Sequence, residues 1–347
     1  MRVQHPERRI SQHSALITLS LLGCLLGCEA ELRLDGVEAT LAQPVLRTDQ
    51  FLAVSPSGPD SIVALADNGV VLLGTAENGA LSWRRQVLAA RESGLPQPTF
   101  LASTNCPDGS IVALSFENEI WTLAGGGWQA EAVDTQEQLQ DVACSSDGTL
   151  WTSGAFGTLL SRPPGSTDWV DHSFYDDFTL TAMSFVPQTG TSFAAGEFGT
   201  FAKSTDSGAT WDILAPIAED FYPLDVYFTD ANTGWVSGVL GVIYATKDGG
   251  ESWSKELSET QASIYGFTES GDRVFAFGDL GTLLEYESSQ MRWMTHPSLE
   301  TPIHFAAATA FNGGLLVAGG WGLLQQLPLS ETPQLGDPAN QSTEDSP

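Results

Sequence analysis

A short glycine motif recurs along this chain at a nearly constant interval. The glycines are Gly157, Gly199, Gly241, Gly281 and Gly322, and the intervals between them are 42, 42, 40 and 41 residues. A period of about 40 residues is typical of repeat architectures, in which each repeat is one supersecondary unit. Upstream, Gly69 and Glu119 occupy the same place in "ADNGVVL" and "FENEIWT". The chain therefore holds seven units.

The sequence of each unit predicts four short strands. The fifth unit contains "PLDVYFT", "WVSG", "VIYAT" and "WSKELS", separated by Gly, Asn and Asp turns. Four short strands repeated every 40 residues are typical of a propeller blade. Because such a sheet can bury its two faces only against its neighbours, the units are expected to close into a ring. The predicted fold is all-β, a seven-bladed β-propeller of four-stranded antiparallel blades.

The last unit lacks a recognisable fourth strand. The segment "GVEATLAQPVL", Gly36–Leu46, has strand-type sequence and precedes the first unit. We predict that this N-terminal strand closes the ring as the outer strand of the seventh blade.

Two turns carry a further motif that contains a carboxylate. "STDSGATW" and "TKDGGESW" match the Asp-box pattern S/T-x-D-x-G-x-x-W. The carboxylate of such a turn can accept hydrogen bonds from backbone N–H groups, and glycine supplies a positive φ. We interpret these residues as structural rather than catalytic: Ser204, Asp206, Gly208, Trp211, Thr246, Asp248, Gly250 and Trp253. The other blade tryptophans are expected to pack against the adjacent blade, namely Trp83, Trp128, Trp169 and Trp293.

The N-terminus has the pattern of an export signal. A basic start precedes a short apolar run, and "LLGC" occurs twice, ending at Cys24 and at Cys28. Such a run is too short to span a membrane and suits a cleaved signal. Leu-Leu-Gly-Cys resembles the bacterial lipobox, with lipidation at Cys28 or alternatively at Cys24, and an ordinary signal peptide is the other interpretation. The predicted segments are signal peptide 1–27, linker 28–35, propeller 36–329 and disordered acidic tail 330–347. The location would be the bacterial cell envelope, at the periplasmic face or outer membrane.

Charge and cysteine content limit the function further. The chain has 14 Lys plus Arg against 43 Asp plus Glu, a formal charge of −29. Nucleic acid is therefore excluded as a partner, since phosphate contacts need basic side chains. Cys106 and Cys144 take corresponding places in adjacent units. An exported protein can keep a disulfide there, and two buried thiols are the alternative.

From residue 154 onward, the phrase G-x-x-G-x-x-x-x-T/S-x-D-G/S-G-x-x-W resembles the photosystem II stability/assembly factor family, which has BNR-like repeats. The resemblance covers roughly residues 45 to 328. It implies a seven-bladed propeller and a non-enzymatic assembly factor that binds a membrane-protein subunit. For this chain we predict a monomer that binds a membrane or exported protein. Only the fourth and fifth units carry the full motif, and the acidity of the chain puts in doubt any binding mode that relies on arginines.

Asp-box repeats also occur in sialidases, so a glycan-binding or degenerate glycosidase propeller is the alternative. A sialidase needs three converging arginines, and the arginines here are scattered over different strands and turns. No cluster of His and Cys suggests a metal, and no phosphate loop is present. We therefore predict no enzymatic activity, no cofactor and no metal.

A candidate partner face follows from the predicted topology. Turns between second and third strands, and connections between blades, open on the same side of a propeller. The turns contribute Phe156, Glu197, Phe198, Leu240, Asp279, Leu280 and Trp321, and the connections contribute Tyr175, Asp176, Asp177, Asp220, Phe221 and Tyr222. Exposed aromatics with acidic neighbours favour a basic or amphipathic segment as partner. In the alternative interpretation, these aromatics plug the central channel and cover the blade ends.

Overall fold

The computed structural model describes residues 43–296 and 300–329, and these residues are almost entirely strands and turns. The strands follow the seven sequence units. Unit 1 holds β1 (Phe51–Gly58), β2 (Ser61–Ala66), β3 (Val70–Glu77) and β4 (Ala80–Val87). Unit 2 holds β5 (Phe100–Asn105), β6 (Ile111–Ser115), β7 (Glu119–Ala124) and β8 (Gly127–Ala132). Unit 3 holds β9 (Leu139–Cys144), β10 (Leu150–Gly154), β11 (Leu159–Arg162) and β12 (Val170–Asp171).

The remaining units have the same order of strands. Unit 4 holds β13 (Leu180–Phe185), β14 (Ser192–Gly196), β15 (Thr200–Ser204) and β16 (Asp212–Ile213). Unit 5 holds β17 (Pro223–Phe228), β18 (Gly234–Gly238), β19 (Ile243–Thr246) and β20 (Ser254–Ser258). Unit 6 holds β21 (Ile264–Ser270), β22 (Arg273–Gly278), β23 (Leu283–Glu287) and β24 (Arg292–Thr295). Unit 7 holds β25 (Phe305–Phe311), β26 (Gly314–Gly319) and β27 (Leu324–Pro328).

Each unit is an antiparallel meander in which consecutive strands pair. Units 1 to 4 are separate four-stranded sheets, and unit 7 has three strands among the described residues. Units 5 and 6 are joined because β20 pairs with β24 in parallel, with Leu257 opposite Arg292. The fold is thus an all-β propeller built from four-stranded antiparallel sheets.

The first strands of the units lie innermost. Each of β1, β5, β9, β13, β17, β21 and β25 contacts the next, and β1 also contacts β25. All seven line one cavity of about 330 Å³. Every one of them has a register shift near its start, for example between Phe51 and Ala53 in β1. We call this cavity the central channel.

The hydrophobic core consists of clusters that lie between neighbouring units. One cluster joins Phe51 and Leu72 of unit 1 to Phe311 and Leu316 of unit 7, and others join successive pairs from units 1 and 2 to units 6 and 7. A sheet that is covered on both faces by its neighbours has hydrophobic residues in runs, which is why the second strands read as nearly continuous apolar segments.

The blade tryptophans contribute to these clusters by packing against the preceding unit. The ring pairs are Trp211 with Trp151 at 5.8 Å, Trp253 with Phe201 at 5.0 Å, and Trp293 with Trp235 at 5.8 Å between centroids. Burying about 200 Å² of an indole at about 25 cal/mol/Å² contributes at most on the order of 5 kcal/mol. We call the contact between two neighbouring units a seam. The core clusters at three other seams include Trp83, Trp128 and Trp169.

Cys106 and Cys144 form a disulfide, with their Cα atoms 5.2 Å apart. Cys106 directly follows β5 and Cys144 ends β9. Of the two alternatives that the sequence left open, the structure contains the bond. It connects the inner strands of units 2 and 3.

The predicted closing strand Gly36–Leu46 lies only partly within the described residues. Residues 43–45 form a bend rather than a strand, so the prediction is wrong for that end, where Asp49 and Arg85 fix an irregular segment. Residues 36–42, the predicted signal peptide, the two candidate lipidation sites Cys24 and Cys28, and the predicted acidic tail lie outside the described residues.

Candidate functional site

The turns between second and third strands share one backbone geometry. In units 3 to 6 the turn is a short 3-10 segment that ends in glycine: Ala155–Gly157, Glu197–Gly199, Val239–Gly241 and Asp279–Gly281. Unit 7 turns at Gly320–Gly322. In all five, the residue before the last glycine has a left-handed φ: 57° at Phe156, 60° at Phe198, 57° at Leu240, 53° at Leu280 and 54° at Trp321.

These five side chains point into solvent. Their exposed fractions are 46% for Phe156, 65% for Phe198, 73% for Leu240, 65% for Leu280 and 62% for Trp321. None of the five lines the central channel. We call these five residues the apolar crown.

The fold does not require apolar residues at the crown positions. Units 1 and 2 use the same left-handed position for Asn68 and Asn118, at φ of 53° and 56°. Asparagine tolerates this region because its side chain can bond to the local backbone, whereas other L-residues lose roughly 1–2 kcal/mol there. The crown side chains are thus both strained in their backbone and exposed, which folding alone does not favour.

Acidic and aromatic residues surround the crown. We call Glu197, Asp279, Asp176, Asp177 and Asp220 the acidic rim. Glu197 and Asp279 are partly buried at the base of their turns, and the other three are exposed. Tyr175 is also exposed, at a left-handed φ of 56°.

Glu197 connects the turn of unit 4 to the connections on either side. Its carboxylate accepts hydrogen bonds from the Thr179 N–H at 2.8 Å and from the Tyr222 hydroxyl at 3.1 Å. Burial and this carboxylate together raise the pKa of Tyr222. The Tyr222 hydroxyl therefore stays protonated and donates to Glu197.

The predicted partner face is wrong in one member, Phe221. Phe221 is buried, with 6% exposure, and its ring packs on Tyr244 at 4.9 Å between centroids. It also occupies the space above Gly238, where a Cβ would come within 2.4 Å of the ring. The connection between units 4 and 5 thus turns Phe221 inward and leaves Tyr222 outside.

The two Asp-box turns lie on hairpins between third and fourth strands. Asp206 accepts bonds from the Thr210 N–H at 2.9 Å and the Ser204 hydroxyl at 2.8 Å. The equivalent carboxylate of the unit 5 hairpin accepts the same bonds from its own turn. Hydrogen bonds to the ionised form lower the pKa of both carboxyl groups to about 2. An ideal Cβ on Gly208 would lie 2.3 Å from the Trp151 ring, so this turn contacts the preceding unit.

Two carboxylates that the sequence analysis missed lie in the central channel. Asp141 and Asp225 directly follow the register shifts of β9 and β17, at a place where the other inner strands have Ala53, Ala102, Ala182, Gly266 and Ala307. Each carboxylate accepts a bond at 2.9 Å from the backbone of the next unit, from Met183 N–H and Phe267 N–H respectively. Burial raises the pKa of both carboxyl groups to about 7.

Comparison with known proteins identifies the family. Residues 50–287 match the family model described as photosynthesis system II assembly factor YCF48. The chain belongs to the YCF48 family. It is 26% identical over 179 residues to the photosystem II assembly lipoprotein Ycf48 of Trichormus variabilis, covering 50% of this chain and 53% of that protein. It is 30% identical over 152 residues to the Ycf48 of a Synechocystis species, covering 42% and 44%. The chain spans about half the length of the curated relatives it matches.

Solved structures show the same fold at low identity. A structure of YCF48 bound to a D1 peptide has a TM-score of 0.63 and 14% identity, covering 82% of this chain and 93% of that one. The WD40 propeller domain of Doa1 has a TM-score of 0.65 and 12% identity, covering 82% and 94%. Likeness at this level shows the propeller and not the function.

The arginines of this YCF48-family chain are largely engaged with its own carboxylates. The ion pairs are Arg85 with Asp49, Arg91 with Glu119, Arg162 with Glu131 and Arg273 with Glu285. They lie in different units, and the central channel is lined without arginine. These four arginines do not form the converging clamp that a sialidase needs.

Within residues 43–296 and 300–329, no group of three or more His, Cys, Asp or Glu side chains could hold a metal ion. Within the same ranges, no helix has the length and apolarity to cross a bilayer.

Proposed function

We propose that this YCF48-family chain is a lipid-anchored, non-enzymatic assembly factor of the cell envelope that binds a protein partner at a membrane. The apolar crown carries the proposal, because five strained and exposed apolar side chains on one face have the character of a docking surface. The family supports it, since its relatives are named photosystem II assembly lipoproteins and one YCF48 is bound to a D1 peptide. The lipobox supports an anchor at Cys28, or at Cys24.

A cross-linking capture tests this function. The full-length protein, tagged at the C-terminus and expressed in its own host, should recover one or a few membrane or exported proteins from cross-linked, detergent-solubilised envelopes. The double variant Cys24→Ala, Cys28→Ala should leave the membrane fraction, because it lacks both cysteines at which the lipid anchor is proposed. Recovery of no protein above the background of an untagged strain would contradict the proposal, and so would release of a reporter from sialosides.

We also propose that the seven units are seven blades of one ring and that residues 36–42 pair with β27 as the missing fourth strand. The supporting contacts lie just after this segment. In units 1 and 5, the glycine after the turn tip faces the carbonyl oxygen of a residue that follows the fourth strand. An ideal Cβ on Gly69 would lie 2.4 Å from the Leu88 oxygen, and one on Gly241 would lie 2.2 Å from the Thr260 oxygen. In unit 7, Gly322 faces the carbonyl of Leu46 at 2.3 Å.

Backbone hydrogen bonds also indicate that residues near Leu46 correspond to the residues that follow the fourth strand in other units. Gly69 N–H donates to Pro98 O and Gly157 N–H donates to Phe178 O, both at 2.7 Å and both within connections between units. Gly322 N–H donates to Asp49 O at 2.8 Å. Residues 46–49 therefore take the place that follows a fourth strand in the other units.

Deleting residues 36–42 should lower the melting temperature and speed amide hydrogen exchange in β27, because the outer N–H groups of that strand would lose their partners. Deletion of residues 29–35 is the matched control and should change neither. Unchanged exchange in β27 after the first deletion would show that another segment, or none, pairs with this edge.

A further inference from the structure

We propose that the apolar crown binds a cationic segment of the partner, which lays apolar side chains across units 3 to 7 and basic side chains against the acidic rim. This inference rests on the proposed function, because it specifies the partner chemistry of the same face.

Folding does not account for the apolar residues at the crown positions, so we attribute them to contact with a partner. Asn68 and Asn118 show that this turn forms with a polar tip. A bulky apolar residue there gains only part of the packing that burial would give, since the five crown side chains are 46% to 73% exposed. Exposed aromatic and aliphatic residues on a rigid turn are typical anchors of a protein interface.

The order of the tips indicates the shape of the occupant. The left-handed apolar tips belong to five consecutive units, 3 to 7, and the two asparagine tips belong to units 1 and 2. The crown is therefore an arc, which Phe116 in the turn of unit 2 extends with 56% exposure. An arc suits a segment that runs along the face, contacting one tip after another, rather than a single side chain that enters the channel.

One end of the arc offers a pocket. A cavity of about 180 Å³ lies beside Trp321 and is lined by Pro302, Ile303, His304 and Gly320. Its lining is largely apolar apart from the imidazole. This cavity can take one apolar side chain of the segment and so fix its register on the crown.

The charges around the arc select a cationic segment. The acidic rim places five carboxyl groups beside the tips of units 3 to 6, and the whole chain carries −29. Two arginines are near this face: Arg47 is next to Gly322 at the Trp321 end, and Arg91 is paired with Glu92 and Glu119. An acidic segment would be repelled over most of the arc, as would anionic lipid head groups, so a basic protein segment fits better than a bilayer.

Titration with synthetic peptides tests the proposal. Three peptides of about 15 residues share the same apolar positions and carry Lys, Glu or Ser at the others. The full-length protein should bind the Lys peptide and not the Glu peptide, with an affinity that falls as salt rises. The triple variant Phe198→Asn, Leu240→Asn, Leu280→Asn copies the tips of units 1 and 2. It should weaken binding at least about tenfold while the melting temperature stays equal or rises.

The matched control replaces three exposed apolar residues of the outer strands: Val87→Asn, Val170→Asn and Ile213→Asn. It should change the affinity less than about twofold. Equal binding of the Lys and Glu peptides, or full binding by the tip variant, would overturn the proposal. Binding to phosphatidylglycerol vesicles that the tip variant loses, with no peptide binding, would assign the crown to lipid and also overturn it. If envelope capture still recovers the partner with the tip variant, the proposed function stands and only this inference fails.

Discussion

Replacing Glu256 with alanine should lower the free energy of unfolding by about 2–4 kcal/mol. Glu256 lies in β20 with 8% exposure. Its carboxylate accepts hydrogen bonds from the indole N–H groups of Trp235 and Trp293, both at 3.0 Å, and from the Tyr286 hydroxyl at 3.1 Å. Alanine would leave two buried donors without a partner, at about 1–3 kcal/mol each. Burial also raises the pKa of Glu256, so removal of a costly buried charge offsets part of the loss.

Glutamine is the control for this prediction. A single amide oxygen can accept both indole N–H groups, because both already donate to the same oxygen, Oε2. The amide N–H₂ can then donate to Tyr286. Urea denaturation at pH 7 should therefore place Glu256→Gln close to the wild type and well above Glu256→Ala. Equal stability of the alanine variant and the wild type would show that the three hydrogen bonds contribute nothing.

The seam between units 3 and 4 is a natural comparison for Glu256. There Trp151 and Trp211 pack with the same centroid distance, 5.8 Å, as Trp235 and Trp293. Three residues after the blade tryptophan, His172 stands where unit 5 has Glu256, and among the described residues neither indole N–H has a partner. The propeller thus tolerates this loss at one seam, which is why we expect destabilisation rather than failure to fold.

The sequence allowed the sheets and their seams to be predicted because the repeat marks local backbone requirements. Glycine recurs at positions such as Gly199 and Gly241 because a Cβ there would come within 2.3 Å of a backbone carbonyl oxygen, and because φ is positive at both residues. Trp211 and Trp253 recur because each fills a gap against the unit before it. Requirements of this kind involve one unit and its neighbour, and both are visible as spacing.

The candidate site was less predictable because it depends on several segments at once. The sequence placed Phe198 and Leu240 on the correct turns, but no pattern indicated that they would adopt left-handed φ values. Phe221 was assigned to the surface because it lies in a connection, and its burial depends on the space above Gly238 and on Tyr244. The sequence analysis assigned no role to Asp141. Its channel environment arises only when all seven inner strands meet.

The unfolding free energy should fall as pH rises from about 4 to about 8, because of Asp141 and Asp225. Burial raises their pKa from 3.8 to about 7. The folded protein therefore keeps protons over a pH range in which the unfolded chain has lost them. Stability is greatest at a pH below the pKa of these groups in the unfolded chain, and it declines as the pH rises through their pKa in the folded protein. A difference of about three pH units corresponds to on the order of 4 kcal/mol for one carboxyl group. The charge of Asp141 also raises the pKa of Asp225, which spreads the decline over a wider range.

The double variant Asp141→Ala, Asp225→Ala should remove most of this decline. It reproduces the alanines that four other inner strands already have at the same place, Ala53, Ala102, Ala182 and Ala307, so the strand itself should accept it. Four backbone N–H groups, of Val142, Met183, Val226 and Phe267, lose their carboxylate partners. The variant is therefore expected to be less stable than the wild type at pH 5 and to approach or exceed it at pH 8.

Urea denaturation of both proteins at pH 5, 6, 7 and 8 measures the difference. Burial lowers the pKa of His172 and His296, which gives a contribution of opposite sign between about pH 5 and 7. Because both proteins share these histidines, subtraction removes their effect. Asp206→Ala is the matched control: its carboxyl pKa is lowered to about 2, so it contributes stability that is lost only below about pH 4 and should leave the slope above pH 5 unchanged. A wild-type slope that survives in the double alanine variant would show that the channel carboxylates are not its source.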